Sequence, residues 1–331
     1  MTKIPVELDL LSEEEVLSFL GSFDTVLTDC DGVLWKGNVP LPGSPEVITL
    51  LRQAGKKIIY VTNNGTRHRR DYVKKFHKLG FGGEFSDIFT PSYLCALYLH
   101  QQKFDKKVYL FGNKGVDSEL DEVGISHIGS CSDYDDVTEL PDVAASVHNH
   151  LKQHGSDVGA IIAAYWYNQY NINVTKLAIA SSYAANPDVM FIGTNRDPSS
   201  TFKEEMTKIQ NDQKSDVVLP MEGAFIKAIE IASGRDATVL GKPSKFMFQA
   251  IKQNHNIVPA KTIMIGDRCE TDILFGKRNG VRTVMVGSGV HSLKQVLGWA
   301  KSDDTFKRNL VPDFYLPSLG RLMMHVKKLV K

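Results

Sequence analysis

Short apolar runs alternate along this chain with longer amphipathic segments. Runs rich in Val, Ile and Thr predict strands, and segments with apolar residues every three or four positions predict helices. The predicted strands are Thr25–Thr28, Lys57–Thr62, Lys107–Phe111, Val158–Ala164, Val189–Gly193, Ala237–Leu240, Thr262–Ile265 and Arg282–Val286. Strand and helix signals that alternate in this way are typical of an α/β fold with a parallel sheet.

The predicted helices lie between these strands. A capping box at Ser12 and Glu15 predicts a short helix near the start of the chain, because each side chain satisfies an N-terminal backbone N–H group. The other predicted helices are Ser44–Gln53, Asp71–Leu79, Ser92–Gln102, Asn173–Ala185, Gly223–Ser233, Lys245–Asn254 and Asp272–Asn279. Two polar and weakly periodic segments, Ser130–His154 and Asp197–Asp216, are predicted to be loops or linkers.

Length and composition bound the class of protein without identifying it. The 331 residues allow two or three domains, or one domain with a large insertion, and 42% hydrophobic residues are ordinary for a globular protein. A net charge of +1 gives no electrostatic reason to expect nucleic acid or a membrane as a partner. No apolar run is long enough to span a bilayer, no signal pattern opens the chain, and the four cysteines form no CxxC pair. We therefore expect a cytoplasmic protein.

Two aspartates, Asp29 and Asp31, follow the predicted strand Thr25–Thr28 and precede Gly32. Side chains two positions apart in an extended chain point to the same side, here at the strand end where open α/β sheets bind ligands. Two neighbouring carboxylates repel each other, so they need a cation between them or a raised pKa on one of them. The pair suits a nucleophile and a general acid/base beside Mg²⁺, and an acidic turn is the alternative.

A polar turn follows the second predicted strand. Thr62, Asn63 and Asn64 end the strand Lys57–Thr62, just before Gly65. A hydroxyl group and backbone N–H groups at the turn from a strand to a helix can cradle a phosphate group. An ordinary polar turn would show the same residues, and this motif taken alone favours that interpretation.

Two later strand ends supply a cation and further carboxylates. Lys242 follows the strand Ala237–Leu240, where its point charge can neutralise a phosphate group or crowded carboxylates. Asp267 follows the strand Thr262–Ile265 and offers the hard oxygen ligands that Mg²⁺ prefers. Asp272 can cap the helix that begins there, and capping is compatible with supporting a metal site from behind the ligands.

Together the four motifs resemble those of the haloacid dehalogenase-like phosphatases. The matching residues are Asp29-x-Asp31-Gly32-Val33-Leu34, Thr62-Asn63-Asn64, Gly241-Lys242-Pro243-Ser244 and Gly266-Asp267-Arg268-x3-Asp272. The similarity is closest to the branch of phosphoglycolate (glycerol-3-phosphate), pyridoxal and 4-nitrophenyl phosphatases, and it extends to Thr194-Asn195-x-Asp197 and Val311-Pro312-Asp313. It implies a Rossmann-like parallel-sheet core, residues 1–103 and 217–331, with a large α/β cap inserted between the second and third motifs, residues 104–216.

The resemblance also implies a role for each matched residue. Asp29 is implied to be the nucleophile that forms an aspartyl-phosphate, Asp31 the general acid/base, and Lys242 a catalytic cation. The residues implied to bind the substrate phosphate are Thr62, Asn63, Asn64 and Lys242. The implied metal is Mg²⁺, with Asp29, Asp31 (through its backbone carbonyl) and Asp267 as ligands and Asp272 in support.

The implied substrate is a small phosphorylated metabolite, with phosphoglycolate or glycerol 3-phosphate first. A pyridoxal 5′-phosphate phosphatase and a phosphate-binding regulator with weak turnover are the alternatives. The cap is expected to decide between substrates, and here Tyr165-Trp166-Tyr167-Asn168 and Pro220-Met221-Glu222-Gly223 depart from the family pattern. Because relatives often dimerise through the cap, the resemblance also implies a possible homodimer.

Several other residues have competing interpretations. His148, His150 and His154 are expected to be surface residues rather than a metal site, because no other ligand lies at a useful spacing. The basic run Arg67-His68-Arg69-Arg70 is expected to be a solvated helix start. Arg196 is expected to contact either an anionic substrate or solvent.

Two residues beside the aspartate pair are also open to two interpretations. Trp35 lies in a turn between Gly32 and Gly37, and it belongs either to a flap that excludes water or to the core. Cys30 is either a redox-sensitive thiol or a small buried residue. At the other end of the chain, the amphipathic segment Leu322–Lys331 is expected to dock on the core.

Overall fold

The computed structural model of the protein describes residues 4–112, 114–129, 140–164, 174–201 and 218–330. These residues form two compact units. The first unit contains the chain up to Thr62, the segment Arg69–Thr90 and the chain from Lys242 onwards, and the second contains Asn63–His68 and Pro91–Gly241. The core and cap boundaries at 103/104 and 216/217 stay a prediction.

The elements follow the alternation that the sequence predicts. The strands are β1 Val6–Glu7, β2 Thr25–Thr28, β3 Trp35–Lys36, β4 Val39–Pro40, β5 Lys57–Val61, β6 Ile88–Phe89, β7 Lys107–Phe111, β8 His127–Ile128, β9 Val158–Ala163, β10 Met190–Gly193, β11 Ser199–Thr201, β12 Val218–Pro220, β13 Thr238–Val239, β14 Thr262–Gly266, β15 Arg282–Val286 and β16 Phe314–Leu316. The helices are α1 Glu13–Gly21, α2 Ser44–Gln53, α3 Arg69–Lys78, α4 Pro91–Gln101, α5 Lys114–Glu122, α6 Leu140–His154, α7 Val174–Ala185, α8 Glu222–Ser233, α9 Lys245–His255, α10 Leu274–Arg278, α11 Leu293–Ala300, α12 Thr305–Asn309 and α13 Met323–Val326. The capping box of Ser12 and Glu15 opens α1, as predicted.

The first unit is built on a seven-stranded sheet in the order β1-β16-β15-β14-β2-β5-β6, and every pair in it is parallel. All residues of the central strands β2 and β14 are buried, as expected for a parallel sheet covered on both faces. Thr28 at the end of β2 pairs with Ile265 of β14 and with Tyr60 of β5. The residues that follow these three strands therefore emerge at one edge of the sheet.

Helices and loops cover both faces of this sheet. One apolar cluster contains Trp35, Tyr60 and Phe76, and the rings of Tyr60 and Phe76 stack with their centroids 3.8 Å apart. Leu322 and Val326 belong to the same cluster, which confirms for the described residues that the C-terminal segment docks on the core. A second cluster includes Cys269, which lies just before α10, Met285 of β15 and Val296 of α11.

The second unit has its own five-stranded parallel sheet, in the order β13-β10-β9-β7-β8. Its core includes Tyr109, Ile161, Ile179 and Ile226, contributed by β7, β9, α7 and α8. The prediction of an α/β fold with parallel sheets is confirmed in both units. Among the described residues, none of the helices combines the length and the apolar character that crossing a bilayer would require.

The two segments predicted to be loops contain regular structure. Within Ser130–His154, residues from Leu140 onwards form α6, because Val143, Val147 and Leu151 make an apolar stripe that packs on the second unit. Within Asp197–Asp216, β11 pairs antiparallel with β12. The loop prediction is wrong at these positions, because packing overrides a weakly periodic, polar composition. Residues 130–139 and 202–216 lie outside the described residues.

His150, expected on the surface, is buried on α6. Its side chain is 8% exposed and its ring lies 5.4 Å from that of Tyr109 and 5.7 Å from that of Tyr183, between centroids. Burial, with the nearby His154, lowers the pKa of His150 from its ordinary value of 6.5 to about 4. The apolar surroundings therefore favour the neutral imidazole at neutral pH.

This burial predicts a pH-dependent stability. The unfolded chain binds a proton at His150 below pH 6.5, whereas the folded chain does so only near pH 4, so stability falls as the pH falls between these values. We expect a loss of about 2 kcal/mol from this group, measured by urea unfolding. His150→Gln should flatten the pH dependence, and the exposed His148→Gln on the same helix should not. Equal slopes in all three proteins would contradict the assignment.

Candidate active site

Three buried side chains meet at the carboxyl edge of the first sheet. Asp29 directly follows β2, and its backbone N–H donates to the Ile265 carbonyl at 2.9 Å. The Lys242 ammonium donates to Asp29 Oδ1 at 2.8 Å and to Asp272 Oδ1 at 2.7 Å. Lys242 is 1% exposed and Asp272 is completely buried. The structure therefore brings these predicted residues together as a carboxylate–ammonium–carboxylate bridge inside the protein.

Asp267 is held beside this bridge by a loop that the sequence analysis did not identify. The backbone N–H of Val290 donates to Asp267 Oδ2 at 2.7 Å, and that of His291 donates to the Asp267 carbonyl at 3.1 Å. A Cβ atom added to Gly289 would overlap Asp267 Oδ2, and one added to Gly32 would lie 2.6 Å from it. Asp267 thus occupies space that only glycines leave open. Gly287 and Gly289, which follow the predicted strand Arg282–Val286, were the sequence signal that could have identified this loop.

Asp272 holds the backbone that carries Asp267 and does not cap α10. It lies in a π-helical turn, Cys269–Ile273, and its Oδ2 accepts the backbone N–H groups of Asp267 and Arg268 at 3.1 and 3.0 Å. The capping alternative is wrong, because both carboxylate oxygens are used by Lys242 and by this backbone. Asp272 therefore fixes the chain that carries Asp267, in agreement with a supporting position.

The three carboxylates form a group that suits a hard cation. Asp29, Asp267 and Asp272 each offer an oxygen atom, and the three atoms lie within 4.8 Å of one another. Burial, together with the neighbouring carboxylates, raises the pKa of Asp29 well above its ordinary value despite Lys242. Burial and Asp272 likewise raise the pKa of Asp267 to about 7. One ammonium does not balance three buried carboxylates, so the donor set fits a divalent cation.

Lys242 itself stays charged. Burial alone would lower the pKa of its ammonium, but Asp272 and Asp29 on either side outweigh that effect and raise it. The side chain is therefore a fixed positive charge at this edge.

Asp31 is oriented by Trp35. The indole Nε1–H of Trp35 donates to Asp31 Oδ1 at 2.8 Å, and Trp35 is completely buried in the core cluster. Trp35 also begins β3, which pairs with β4, and the Lys75 ammonium lies 4.2 Å from its ring centroid. The residue therefore belongs to the core, as one of the two interpretations predicts, and it orients Asp31 from there.

The residues of the predicted phosphate turn fall in both units. Thr62 is buried in the first unit, where its N–H donates to the Phe89 carbonyl at 3.1 Å. Asn63 and Asn64 belong to the second unit. Asn64 Oδ1 accepts from the N–H and the hydroxyl of Thr66, and the Asn63 amide faces Asp197. The phosphate-binding roles of these three residues stay predictions.

Cys30 and part of the basic run at residues 67–70 are buried. Cys30 is completely buried, and burial followed by Asp29 and Asp31 raises the pKa of its thiol, which favours the small buried residue over the redox-sensitive thiol. Arg69 is buried with its guanidinium 4.0 Å from the Phe85 ring centroid, so the basic run is not wholly solvated. The segment Tyr165–Asn168 lies outside the described residues.

Arg196 pairs with a carboxylate while 39% of its side chain stays exposed to solvent. Its guanidinium forms two hydrogen bonds to the carboxylate of Glu230, at 2.8 and 2.5 Å. This pair, with the Ala237 N–H, lowers the pKa of Glu230 to about 2. The expected contact with solvent agrees with this exposure, and contact with an anionic substrate stays a prediction. The pairing with Glu230 was not predicted, because this partner lies more than thirty residues further along the chain and leaves no local signal.

Comparison with known proteins assigns this arrangement to a family. Residues 26–126 match a model described as haloacid dehalogenase-like hydrolase, and residues 239–320 match one described as HAD-hydrolase-like. A glycerol-3-phosphate phosphatase of Rattus norvegicus is 34% identical over 321 residues, 95% of this chain and 94% of the relative. The fold and the acidic edge of the sheet therefore define a hydrolase of the phosphatase class.

A further relative agrees with that class, and a solved structure shares the fold. A chloroplastic phosphoglycolate phosphatase 1A of Arabidopsis thaliana is 34% identical over 93% of this chain and 78% of its own length. The fold is shared with a glycerol phosphate phosphatase of Mycobacterium tuberculosis solved in complex with magnesium, with a TM-score of 0.67, 21% identity and coverage of 94% and 79% of the two chains. The chain belongs to the haloacid dehalogenase-like hydrolases, and the resemblance inferred from the four motifs is confirmed.

Proposed function

We propose that the protein is a Mg²⁺-dependent phosphatase that hydrolyses small phosphomonoesters through an aspartyl-phosphate on Asp29. The observation that carries the proposal is the buried bridge from Asp29 through Lys242 to Asp272, with Asp267 fixed beside it. A site with a buried nucleophile candidate, a fixed ammonium and a cation-binding carboxylate group suits phosphoryl transfer, in which positioning and charge neutralisation dominate.

The residues divide the reaction between them. An oxygen of Asp29 attacks phosphorus, and the bond from phosphorus to the leaving alkoxide breaks. Asp31 gives its proton to that alkoxide and then takes a proton from the water that hydrolyses the aspartyl-phosphate. Lys242 stabilises negative charge on the transferring group, and Thr62, Asn63 and Asn64 hold its oxygens. Trp35 keeps the Asp31 carboxylate oriented through its indole N–H.

Magnesium is the proposed metal because the donors are carboxylate oxygens in a buried, net negative group. Asp29, the backbone carbonyl of Asp31 and Asp267 would hold it, and Asp272 would support them through the backbone of Asp267. A bound Mg²⁺ would supply charge neutralisation for the phosphoryl oxygens and for the crowded carboxylates. The raised pKa values of Asp29 and Asp267 show how strongly the site disfavours ionised carboxylates without such a cation.

Phosphoglycolate and glycerol 3-phosphate are the substrates we propose first. Relatives with these names share 34% identity with nearly the whole chain. Chronophin of Bos taurus is equally similar, at 34% over 92% of the chain. Pyridoxal 5′-phosphate, which the motif resemblance also implies, is the second candidate. The presence of Asp29, Asp31, Lys242 and Asp267 speaks against a regulator with weak turnover. A cytoplasmic location and a homodimer through the cap remain predictions, and light scattering of the purified protein would test the dimer.

Phosphate release from a panel of phosphomonoesters tests the proposal. The panel contains phosphoglycolate, glycerol 3-phosphate, pyridoxal 5′-phosphate and p-nitrophenyl phosphate, each with Mg²⁺ and with EDTA. We expect Mg²⁺-dependent release, fastest for one of the first two. Release that is equal in EDTA would contradict the metal requirement, and no release from any member would contradict the phosphatase.

The glycines around Asp267 allow the metal site to be tested separately from catalysis. Gly289→Ala places a methyl group on Asp267 Oδ2, so the carboxylate has to move. We expect about a tenfold or greater rise in the Mg²⁺ concentration that gives half of the maximal increase in melting temperature. Gly298→Ala is the matched control, because nothing lies within 4 Å of its added Cβ and it sits inside α11. An unchanged Mg²⁺ response in Gly289→Ala would refute the assignment.

A further inference from the structure

The motif Thr194-Asn195-Arg196-Asp197 matches the family but has no role in the chemistry above. It follows β10 in the second unit, where its side chains bond to Asn63. We infer that Asn195 and Asp197 are positioning residues that set the main chain and amide of Asn63 for phosphate binding. The inference rests on the proposed function, because it assigns Asn63 to the phosphate turn.

Asn195 binds the main chain of the turn. Its Nδ2 donates to the Asn63 carbonyl at 2.9 Å, and its Oδ1 accepts the N–H of Asp197 at 2.9 Å. The side chain is completely buried, so neither group can exchange its partner for bulk water. One amide thus connects Asn63 to a residue far along the chain and fixes the loop that carries Asp197.

Asp197 sets the orientation of the Asn63 side chain. Its Oδ1 accepts the Asn63 Nδ2–H at 3.4 Å, and because a carboxylate only accepts hydrogen bonds, the NH₂ group of Asn63 must face it. The opposite end of that amide, Oδ1, lies against Gly241, where an added Cβ would be 2.9 Å away. The amide therefore has one orientation, with its donor side on Asp197 and its acceptor side on a glycine.

The motif is itself anchored at both ends. The Gly223 N–H at the start of α8 donates to the Asp197 carbonyl at 2.9 Å, and the Gly241 N–H donates to the Thr194 carbonyl at 2.7 Å. Arg196, between the two positioning residues, is instead held by Glu230. Asn195 and Asp197 thus act on Asn63 from a fixed loop, while Arg196 stabilises the same loop through its bonds to Glu230.

The position of Asn63 matters because phosphate is bound by groups of fixed direction. A cradle of backbone N–H groups loses affinity when one peptide turns, and displacements of about 1 Å in a reacting complex can cost a factor of about one hundred. Asn195→Asp replaces the donor Nδ2 by an acceptor, which would repel the Asn63 carbonyl. The change keeps the size of the side chain and removes the bond that sets the turn.

Inhibition by inorganic phosphate provides the test, with p-nitrophenyl phosphate as the substrate and Mg²⁺ present. We expect Asn195→Asp to raise the inhibition constant of phosphate and the KM at least about tenfold. Asp197→Ala should raise both several-fold, and Asp197→Asn, which keeps an acceptor oxygen, should restore them. Arg196→Gln is the stability control: it should lower the melting temperature by breaking the bond to Glu230, with an unchanged phosphate constant.

These measurements distinguish a failure of the positioning role from a failure of the proposed phosphatase activity. If the wild-type protein hydrolyses p-nitrophenyl phosphate and the Asn195 and Asp197 variants match Arg196→Gln in their phosphate constants, the positioning role is refuted. If the wild-type protein hydrolyses nothing, the proposed phosphatase fails, and binding is then read from the rise in melting temperature caused by phosphate alone. A weaker rise in Asn195→Asp than in Arg196→Gln would still support the positioning role. Should Asn195→Asp fail to fold, the Asp197 pair decides the matter.

Discussion

Asp29→Asn abolishes phosphate release and raises the melting temperature of the metal-free protein. The carboxamide cannot act as the nucleophile, so we expect a loss of at least about a thousandfold in kcat. The same change removes one of three crowded carboxylates. Burial of Asp29, together with the other two carboxylates, raises its pKa well above the ordinary value. Because the remaining charges are better balanced by Lys242, the folded state gains stability in EDTA. Phosphate release and thermal unfolding in EDTA measure the two effects.

The control for this variant is Asp24→Asn, just before the same strand. Asp24 is exposed and pairs with Lys261 at 3.3 Å, an arrangement that contributes little to stability. It should change neither phosphate release nor the melting temperature. Activity that survives Asp29→Asn would overturn the aspartyl-phosphate mechanism, and a lower melting temperature would show that Asp29 stabilises the fold.

Lys242→Met has the opposite effect on stability and the same effect on activity. It leaves Asp29 and Asp272 buried without their ammonium, and breaking a buried ion pair in this way costs about 3–5 kcal/mol. The folded carboxylates then bind protons more tightly than the unfolded ones. The variant should therefore regain stability as the pH is lowered from 8 to 6.

Urea unfolding in EDTA at pH 8 and pH 6 measures this second effect. Lys227→Met is the matched control, because Lys227 also pairs with a buried carboxylate, that of Glu230 at 3.3 Å, but is itself 60% exposed. We expect a change of less than about 1 kcal/mol there. A loss in Lys242→Met no greater than in Lys227→Met would contradict the role of Lys242 as the charge that holds the site together.

The positions of the main site residues were predictable because they follow from strand ends. Asp29 and Asp267 come directly after β2 and β14, which are neighbouring parallel strands of one sheet and end at a common edge. Lys242 follows β13, which belongs to the other sheet, so this rule does not explain its place beside the two aspartates. The order of apolar runs and polar residues along the chain is therefore enough to predict these strand-end positions. The orientation of Asp31 was less predictable. The indole N–H that sets it belongs to Trp35, and a tryptophan at this position is equally typical of an ordinary core.

The features that were not predicted depend on contacts between residues that are distant in the sequence. The Val290 N–H that holds Asp267 belongs to a loop after β15, and the glycines of this loop do not by themselves indicate which side chain the loop contacts. The helix α6 was missed because its stripe of Val143, Val147 and Leu151 is narrow and lies among polar residues. The role of Asp272 was ambiguous for a similar reason. A helix cap and a support of the backbone both accept N–H groups, and they differ only in which residues donate them.

The glycines at the acidic edge have a consequence for genetics. At Gly32, Gly266 and Gly289, a Cβ atom would collide with the carboxylate group of Asp267 or Asp272. Every missense change in these three codons adds a Cβ, whichever amino acid it encodes. Loss-of-function alleles should therefore accumulate at glycine codons as readily as at the codons of the aspartates that they surround.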